Sequence, residues 1–145
     1  SFSKHDIIEI LENLIKEKIK TGQNLKLLNS PKLPKIKLKP LSFRRALENL
    51  LSNAKRYAKS CEISATLVDE TILINIDDDG PGIALNQREN ALRPFHRLET
   101  SRNKETGGTG LGLGIATNII LSHGGTLELL ESPMKGLRVK LTLPI

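Results

Sequence analysis

Apolar residues recur at helical spacing along residues 6–20, DIIEILENLIKEKIK, where Ile7, Ile8, Leu11, Leu14, Ile15 and Ile19 fall on one side of a 3.6-residue repeat. The pattern predicts an amphipathic helix with Asp6 as N-cap and Gly22 as stop. Pro40 and Ser42 announce a second helix running to about Lys59, with Phe43, Ala46, Leu47, Leu50, Leu51, Ala54 and Ala58 on its core face. The period then switches to two. Cys61, Ile63, Ala65 and Leu67 alternate in CEISATLV, and Ile72, Ile74 and Ile76 alternate in TILINID, so Asp69-Glu70 should close a hairpin between them. A short helix is expected over 84–90, then a polar, unpatterned stretch at about 97–108 of the kind that forms a mobile loop. A third helix, about Leu111–His123, should end at Gly124-Gly125, and TLELLES and LRVKLTLP read as paired closing strands.

One further strand is read in PKLPKIKLKP, where Lys35, Lys37 and Lys39 alternate with Ile36 and Leu38 and Lys32 precedes them. It fits an edge strand whose lysine face is solvated and discourages stray pairing; a nucleic-acid patch is the other reading. The element order α-β-α-ββ-loop-α-ββ implies an α+β fold, a two-layer sandwich in which a mixed, mostly antiparallel sheet is covered on one face by about three helices.

Composition narrows the function. A chain of 145 residues, 38% hydrophobic and 26% charged, is expected to form one domain over 1–145 with an aliphatic core. Aromatics make up only 3% and tryptophan is absent, which leaves little for stacking on single-stranded nucleic acid. The lone Cys61 excludes an internal disulfide and suits a reducing compartment. No apolar run approaches the ~18 residues of a membrane span. Ser1 is not a methionine, so the chain is expected to be a piece of a larger protein. The net charge of +6 attracts phosphates without saying which kind.

Three stretches carry chemistry. In the second helix, Arg45, Asn49, Asn53 and Arg56, with Tyr57 at the margin, form a polar stripe separate from the ordinary charged face of Arg44, Glu48, Lys55 and Lys59. Asparagine is a poor mid-helix residue. The stripe is either a tolerated surface feature or a set of amide oxygens for a hard cation, guanidiniums for phosphate and a ring for a base. In DDDGPGIA, residues 77–84, three carboxylates run from an apolar strand into a Gly-Pro-Gly turn; a turn alone does not need them. In GGTGLGLGIA, residues 107–116, five glycines within eight residues precede an apolar helix. They fit either a hinge with a close-packed helix start or backbone amides that approach a phosphate. No lysine follows as in a Walker loop, the dinucleotide spacing fails, and the protein-kinase motif set is missing.

Taken in order, ENLLSNAKRY (48–57), DDGPGI (78–83), LRPFHR (92–97) and GGTGLGLGIA resemble the N, G1, F and G2 boxes of the catalytic ATP-binding domain of sensor histidine kinases, a branch of the gyrase/Hsp90/MutL-like superfamily. HGGTLEL (123–129) resembles that family's stretch after the last helix, so the likeness runs from Asp6 to Pro144, nearest to the EnvZ-like osmosensor kinases. The resemblance implies a Bergerat-type ATP-binding fold with ATP and Mg²⁺ as cofactors. It implies that Asp78 accepts a hydrogen bond from the adenine amino group, with Gly80, Gly82 and Ile83 shaping the pocket. It further implies that Asn53 binds Mg²⁺ with Asn49 in support, that Arg56 keeps the charge of the usual N-box lysine, and that Tyr57 packs near adenine. Arg97 and Arg102 would reach the phosphates, which Gly108, Thr109, Gly110, Leu111 and Gly112 would cradle. Asp77 and Asp79 are left to solvation, turn capping or water.

Two departures stand out. Leu92 replaces the usual F-box phenylalanine, and none of His5, His96 and His123 has a phosphoacceptor context, so each reads as an ordinary surface or loop histidine. The implied activity is transfer of the γ-phosphoryl group to a histidine on a separate dimerisation domain, for relay to a response-regulator aspartate. Residues 1–5 would be the end of the linker to that domain. The implied parent is a homodimer in the inner membrane with this domain cytoplasmic, monomeric when isolated, and not binding nucleic acid. Asn49 stands where hydrolysing relatives carry a glutamate base, which speaks against the alternatives of an anti-sigma-type serine kinase or another ATPase of the superfamily. A non-catalytic nucleotide-sensing module is a further alternative, and a salt-sensitive nucleic-acid-binding domain fits the acidic cluster poorly.

Overall fold

The computed structural model describes residues 1–93 and 112–145. Helix α1 (Ile7–Lys20) begins where Asp6 Oδ1 accepts from the Ile8 amide at 2.9 Å, a side-chain cap for an otherwise unpaired donor. It ends at Thr21, followed by Gly22 at φ +96°. Helix α2 (Pro40–Tyr57) starts on proline at its first position, where no backbone donor is needed, and ends two residues short of the expected Lys59. Its residues Phe43, Ala46, Leu47, Leu50, Leu51 and Ala54 are buried as the periodicity requires.

Strands β4 (Cys61–Val68) and β5 (Thr71–Asp78) are joined by the two-residue turn Asp69-Glu70, with Asp69 in the left-handed region at φ 53°. A short 3₁₀ turn (Leu85–Gln87) and the four-residue α3 (Arg88–Ala91) follow. Helix α4 (Gly112–Ser122) leads through Gly124, at φ +77°, into β6 (Thr126–Glu131) and β7 (Leu137–Pro144).

The main sheet has the order β2-β4-β5-β7-β6, where β2 (Leu25–Leu27) runs parallel to β4 and every other pair is antiparallel. Inward positions of β4, β5 and β7 are buried, Ile63, Ile72, Ile74, Ile76, Val139, Leu141 and Leu143 among them, while most of their alternates are polar. Helices α1, α2 and α4 cover that inward face, with α4 also packed on α2. This is the two-layer α+β sandwich expected from the element order.

The structure refines the reading of the lysine-rich strand and corrects two others, those for Leu67 and His123. The lysine-rich strand β3 (Ile36–Leu38) is an edge strand, as read, but of a separate two-stranded ribbon with β1 (Ser3–His5) and not of the main sheet. Lys32, Lys35, Lys37 and Lys39 are nevertheless exposed, and Ile36 and Leu38 are buried. The stretch read as the end of a linker is thus paired into the fold. Leu67, assigned to the buried side of β4, is 44% exposed, two residues before the Asp69-Glu70 turn at the hairpin tip. His123 is buried rather than superficial. Its Nε2 accepts from the Lys39 amide at 3.1 Å, its Nδ1 lies 2.7 Å from the Ile119 carbonyl, and its ring packs near Phe2 and Phe43. It ties the end of α4 to the start of α2. No described helix is long and apolar enough to cross a membrane.

Candidate functional site

Strand β5 alternates, so successive aspartates at its end must part company. Asp77 points to the open face, where Arg138, its register partner on β7, donates to both carboxylate oxygens at 2.8 and 3.0 Å. The two-point pair satisfies a carboxylate that is only 5% exposed, and the hydrogen bond raises the Arg138 pKa. Asp79 turns outward. It accepts from the amides of Lys59 and Ser60 and from Ser60 Oγ at 2.8–3.0 Å, and the Ser60 hydrogen bonds lead in lowering its pKa. It fastens the end of α2 to the end of β5.

Asp78 alone points into the helix side. It is 6% exposed, and its Oδ1 accepts from the Gly80 amide at 2.9 Å and the Leu137 amide at 3.0 Å. Among the described residues nothing donates to Oδ2. A buried carboxylate needs partners, and here one oxygen has two while the other is left for a donor from outside.

The surroundings are shaped by glycines. A side chain at Gly80 would meet the Tyr57 carbonyl at 2.7 Å, so α2 closes directly over this turn. Gly82 adopts φ +70° and lies against Gly136. Gly136, in the β6–β7 turn, abuts both Asp78 and Gly80 so closely that any side chain would collide with them. Ile83 packs on the core, and its carbonyl accepts from Arg88 Nε at 3.0 Å. Leu92, standing where an aromatic was expected, caps α3 and packs partly buried on the same core.

The polar stripe of α2 borders this pocket. Tyr57, Asn53 and Asn49 are half-buried, whereas Arg45 and Arg56 are exposed and have no ion-pair partner among the described residues. The start of α4 stands against the same helix, with Gly112 facing the Asn49 carbonyl. The stripe therefore runs between the Asp78 turn and the amino end of α4. Exposed guanidiniums and a helix amino terminus make that edge favourable for an anion.

No group of three or more His, Cys, Asp or Glu side chains able to hold a metal occurs among the described residues. The available oxygen donors are the Asn49 and Asn53 amides, which suit a hard cation that keeps part of its shell on water or phosphate. Arg97, Arg102, Gly108, Thr109, Gly110 and Leu111, and with them the expected mobile loop and His96, lie outside the described residues.

Sequence reasoning missed Gly136, the Leu137 amide and Arg138. The signal available for the first was a single glycine in SPMKG, indistinguishable from a hairpin turn until Asp78 was seen beside it. Cys61 faces Asp78 across the β4–β5 pair, and burial, then the Asp78 charge, pushes its thiol up to about 12. It is a core residue, not a nucleophile.

Comparison with known proteins bears on the family and the fold. The family model described as histidine kinase-, DNA gyrase B-, and HSP90-like ATPase matches residues 38–145. The sensor histidine kinase CpxA of Escherichia coli K12 is 37% identical over 138 residues, which span 94% of this chain and 30% of CpxA. The sensor protein RstB of the same strain is 44% identical over 102 residues, 70% of this chain and 24% of RstB. The chain thus spans less than a third of these relatives. Among solved structures, the ATP-binding domain of PrrB from Mycobacterium tuberculosis superposes with a TM-score of 0.83 at 26% identity, covering 99% of this chain and 97% of that domain.

Proposed function

The chain belongs to the histidine kinase-, DNA gyrase B- and HSP90-like ATPase family, and from that premise we propose that it is the ATP-binding catalytic unit of a sensor histidine kinase. The observation that carries the reading is the half-satisfied carboxylate of Asp78. Its free oxygen suits the exocyclic amine of adenine, and a base lying there is flanked by Gly80, Gly82, Ile83 and Tyr57. The triphosphate then extends along the α2 stripe toward the start of α4. Arg56 and the backbone around Gly112 face that path, with Arg97, Arg102 and residues 108–111 assigned to it by their motifs.

Asn53, supported by Asn49, is the residue assigned to Mg²⁺, whose role when bound would be to neutralise phosphate charge. Phosphoryl transfer needs positioning and charge neutralisation more than covalent help from the protein. The γ-phosphoryl group passes to a histidine nitrogen on a separate dimerisation domain of the parent, leaving ADP, and thence to a receiver-domain aspartate. The parent is a homodimer in the inner membrane with this unit on the cytoplasmic side. Transfer is favoured over hydrolysis because Asn49 cannot take a proton from water. The neighbouring acid, Glu48, is held by Lys18 and Arg44 away from the stripe.

The test is calorimetric titration of Mg·ATP into the wild type and Asp78→Asn, followed by addition of a histidine-bearing dimerisation domain. The expected result is micromolar-range binding that the variant loses and ATP-dependent labelling of the added histidine. Equal binding by both proteins would overturn the reading. Rapid turnover without labelling would instead favour a hydrolysing ATPase.

A further inference from the structure

We infer that Gly136 is a positioning residue for base selection: by carrying no side chain beside Asp78, it lets the β6–β7 turn hold one carboxylate oxygen and leaves the other free to select purines with a 6-amino group. The inference rests on the adenine-site reading above.

Position 136 lies far along the chain from Asp78, yet the two are locked backbone to backbone. The Gly136 amide donates to the Asp78 carbonyl at 3.1 Å, and the next amide, Leu137, donates to Asp78 Oδ1 at 3.0 Å. The turn itself is stiffened from within. The Ser132 amide donates to the Gly136 carbonyl at 2.9 Å, Lys135 to the Ser132 carbonyl at 2.8 Å, and Met134 to Ser132 Oγ at 3.0 Å. Ser132 is only 3% exposed, so this is a built element rather than a loose loop.

The need for glycine at 136 is steric, not conformational. Gly22, Gly82 and Gly124 have positive φ, whereas Gly136 does not, so alanine fits its backbone. What forbids a methyl group is the Asp78 carbonyl, Asp78 Oδ1 and the Gly80 amide, all within collision range of a β-carbon there. Two of these are backbone atoms, and the third, Asp78 Oδ1, is a side-chain oxygen held by two amide hydrogen bonds. A methyl group must push back the carboxylate and the turn that carries Gly80, the two sides of the assigned base pocket. With the hydrogen bonds from the Gly80 and Leu137 amides stretched, the carboxylate rotates and its free oxygen no longer meets a 6-amino group. The atoms a methyl group would meet first belong to Asp78 and Gly80, not to the α2 residues assigned to the triphosphate, so the loss falls on base discrimination.

The experiment compares ATP with purine riboside triphosphate, which lacks only the 6-amino group, by calorimetry with Mg²⁺ present. Wild type, Asp78→Asn, Gly136→Ala and the double variant are titrated. A hydrogen bond to a charged acceptor predicts about tenfold preference for ATP in the wild type. Gly136→Ala should fall to within about twofold, and the double variant should be no worse than Asp78→Asn alone. A folded Gly136→Ala protein that keeps the wild-type preference overturns the inference. A wild type without any preference overturns the Asp78 reading itself, a result the first comparison separates from the second. Should Gly136→Ala fail to fold, replacing Leu137 by its α-hydroxy acid deletes the 137 amide proton without adding bulk. That variant should also lose most of the preference, and an unchanged ratio counts against the inference.

Discussion

Glu48 Oε2 lies 3.2 Å from Lys18 Nζ, while Glu48 Oε1 lies 3.7 Å from Arg44 Nε. The acid nearest the amide stripe is therefore engaged with α1 and its own helix. Replacing it, Glu48→Gln, should leave nucleotide affinity and any intrinsic hydrolysis within about twofold of wild type. The groups are a quarter to just over a third exposed, so the stability cost should stay below ~1 kcal/mol and shrink in high salt. Urea unfolding at two salt concentrations and a phosphate-release assay check both parts. Loss of a substantial hydrolytic rate would identify Glu48 as a base after all.

Asp77 and Arg138 face each other across the β5–β7 pair, and removing one strands the other. Arg138→Ala should cost about 2 kcal/mol, because a nearly buried carboxylate loses both hydrogen bonds. The double variant with Asp77→Asn should recover part of that loss. A double-mutant cycle from urea melts measures the coupling, and a value near zero would mean the pair is only a surface feature.

Asp79 has its pKa lowered by hydrogen bonds from Ser60 and Lys59. A carboxylate whose folded-state pKa lies below its unfolded value stabilises the fold above the unfolded value, and that contribution fades as pH falls through the folded one. The stability advantage of wild type over Asp79→Ala should thus be constant above about pH 5 and decline below about pH 4. Unfolding both proteins across this range decides it; a gap that does not depend on pH would contradict the assignment.

Cys61 should resist thiol reagents in the folded protein. With its pKa raised from 9.0 to about 12, thiolate at pH 8 is scarcer by on the order of a thousandfold, and the side chain is 3% exposed. Labelling followed with and without urea should show rapid reaction only in the denaturant. Fast labelling of the native protein would mean that the β2–β4 edge opens readily.

Much of this fold is written locally. The stripes of α1 and α2, the Asp6 cap and the two-residue turn at Asp69-Glu70 follow from periodicity and turn chemistry, which act over a few residues. Strands β1 and β2 are three residues each, too short for alternation to register, and their existence depends on β3 and β4 being present to pair with. The lysine strand illustrates the same limit: its exposed face was legible, its partner was not. At the candidate site, Asp78 and the α2 stripe stood out because carboxylates and asparagines are costly where they lie. Gly136 and the Leu137 amide did not stand out, because a backbone donor has no residue type. The different destinations of Asp77, Asp78 and Asp79 likewise appear only when strand alternation is combined with neighbours from β7 and α2.

The hydrogen bond from the Leu137 amide to Asp78 spans 59 residues of sequence, and it has a consequence for how the protein comes into being. A ribosome that has released Asp78 and Gly80 has delivered the carboxylate and only one of its two amide anchors. The other arrives after β6 and the turn have emerged and β7 has added itself beside β5. Long-range pairing of this kind is slow compared with closing the β4–β5 hairpin. During synthesis the chain thus passes through a stage with its central hairpin formed and Asp78 not yet set. A truncation before Gly136 reproduces that stage permanently, however well its helices form.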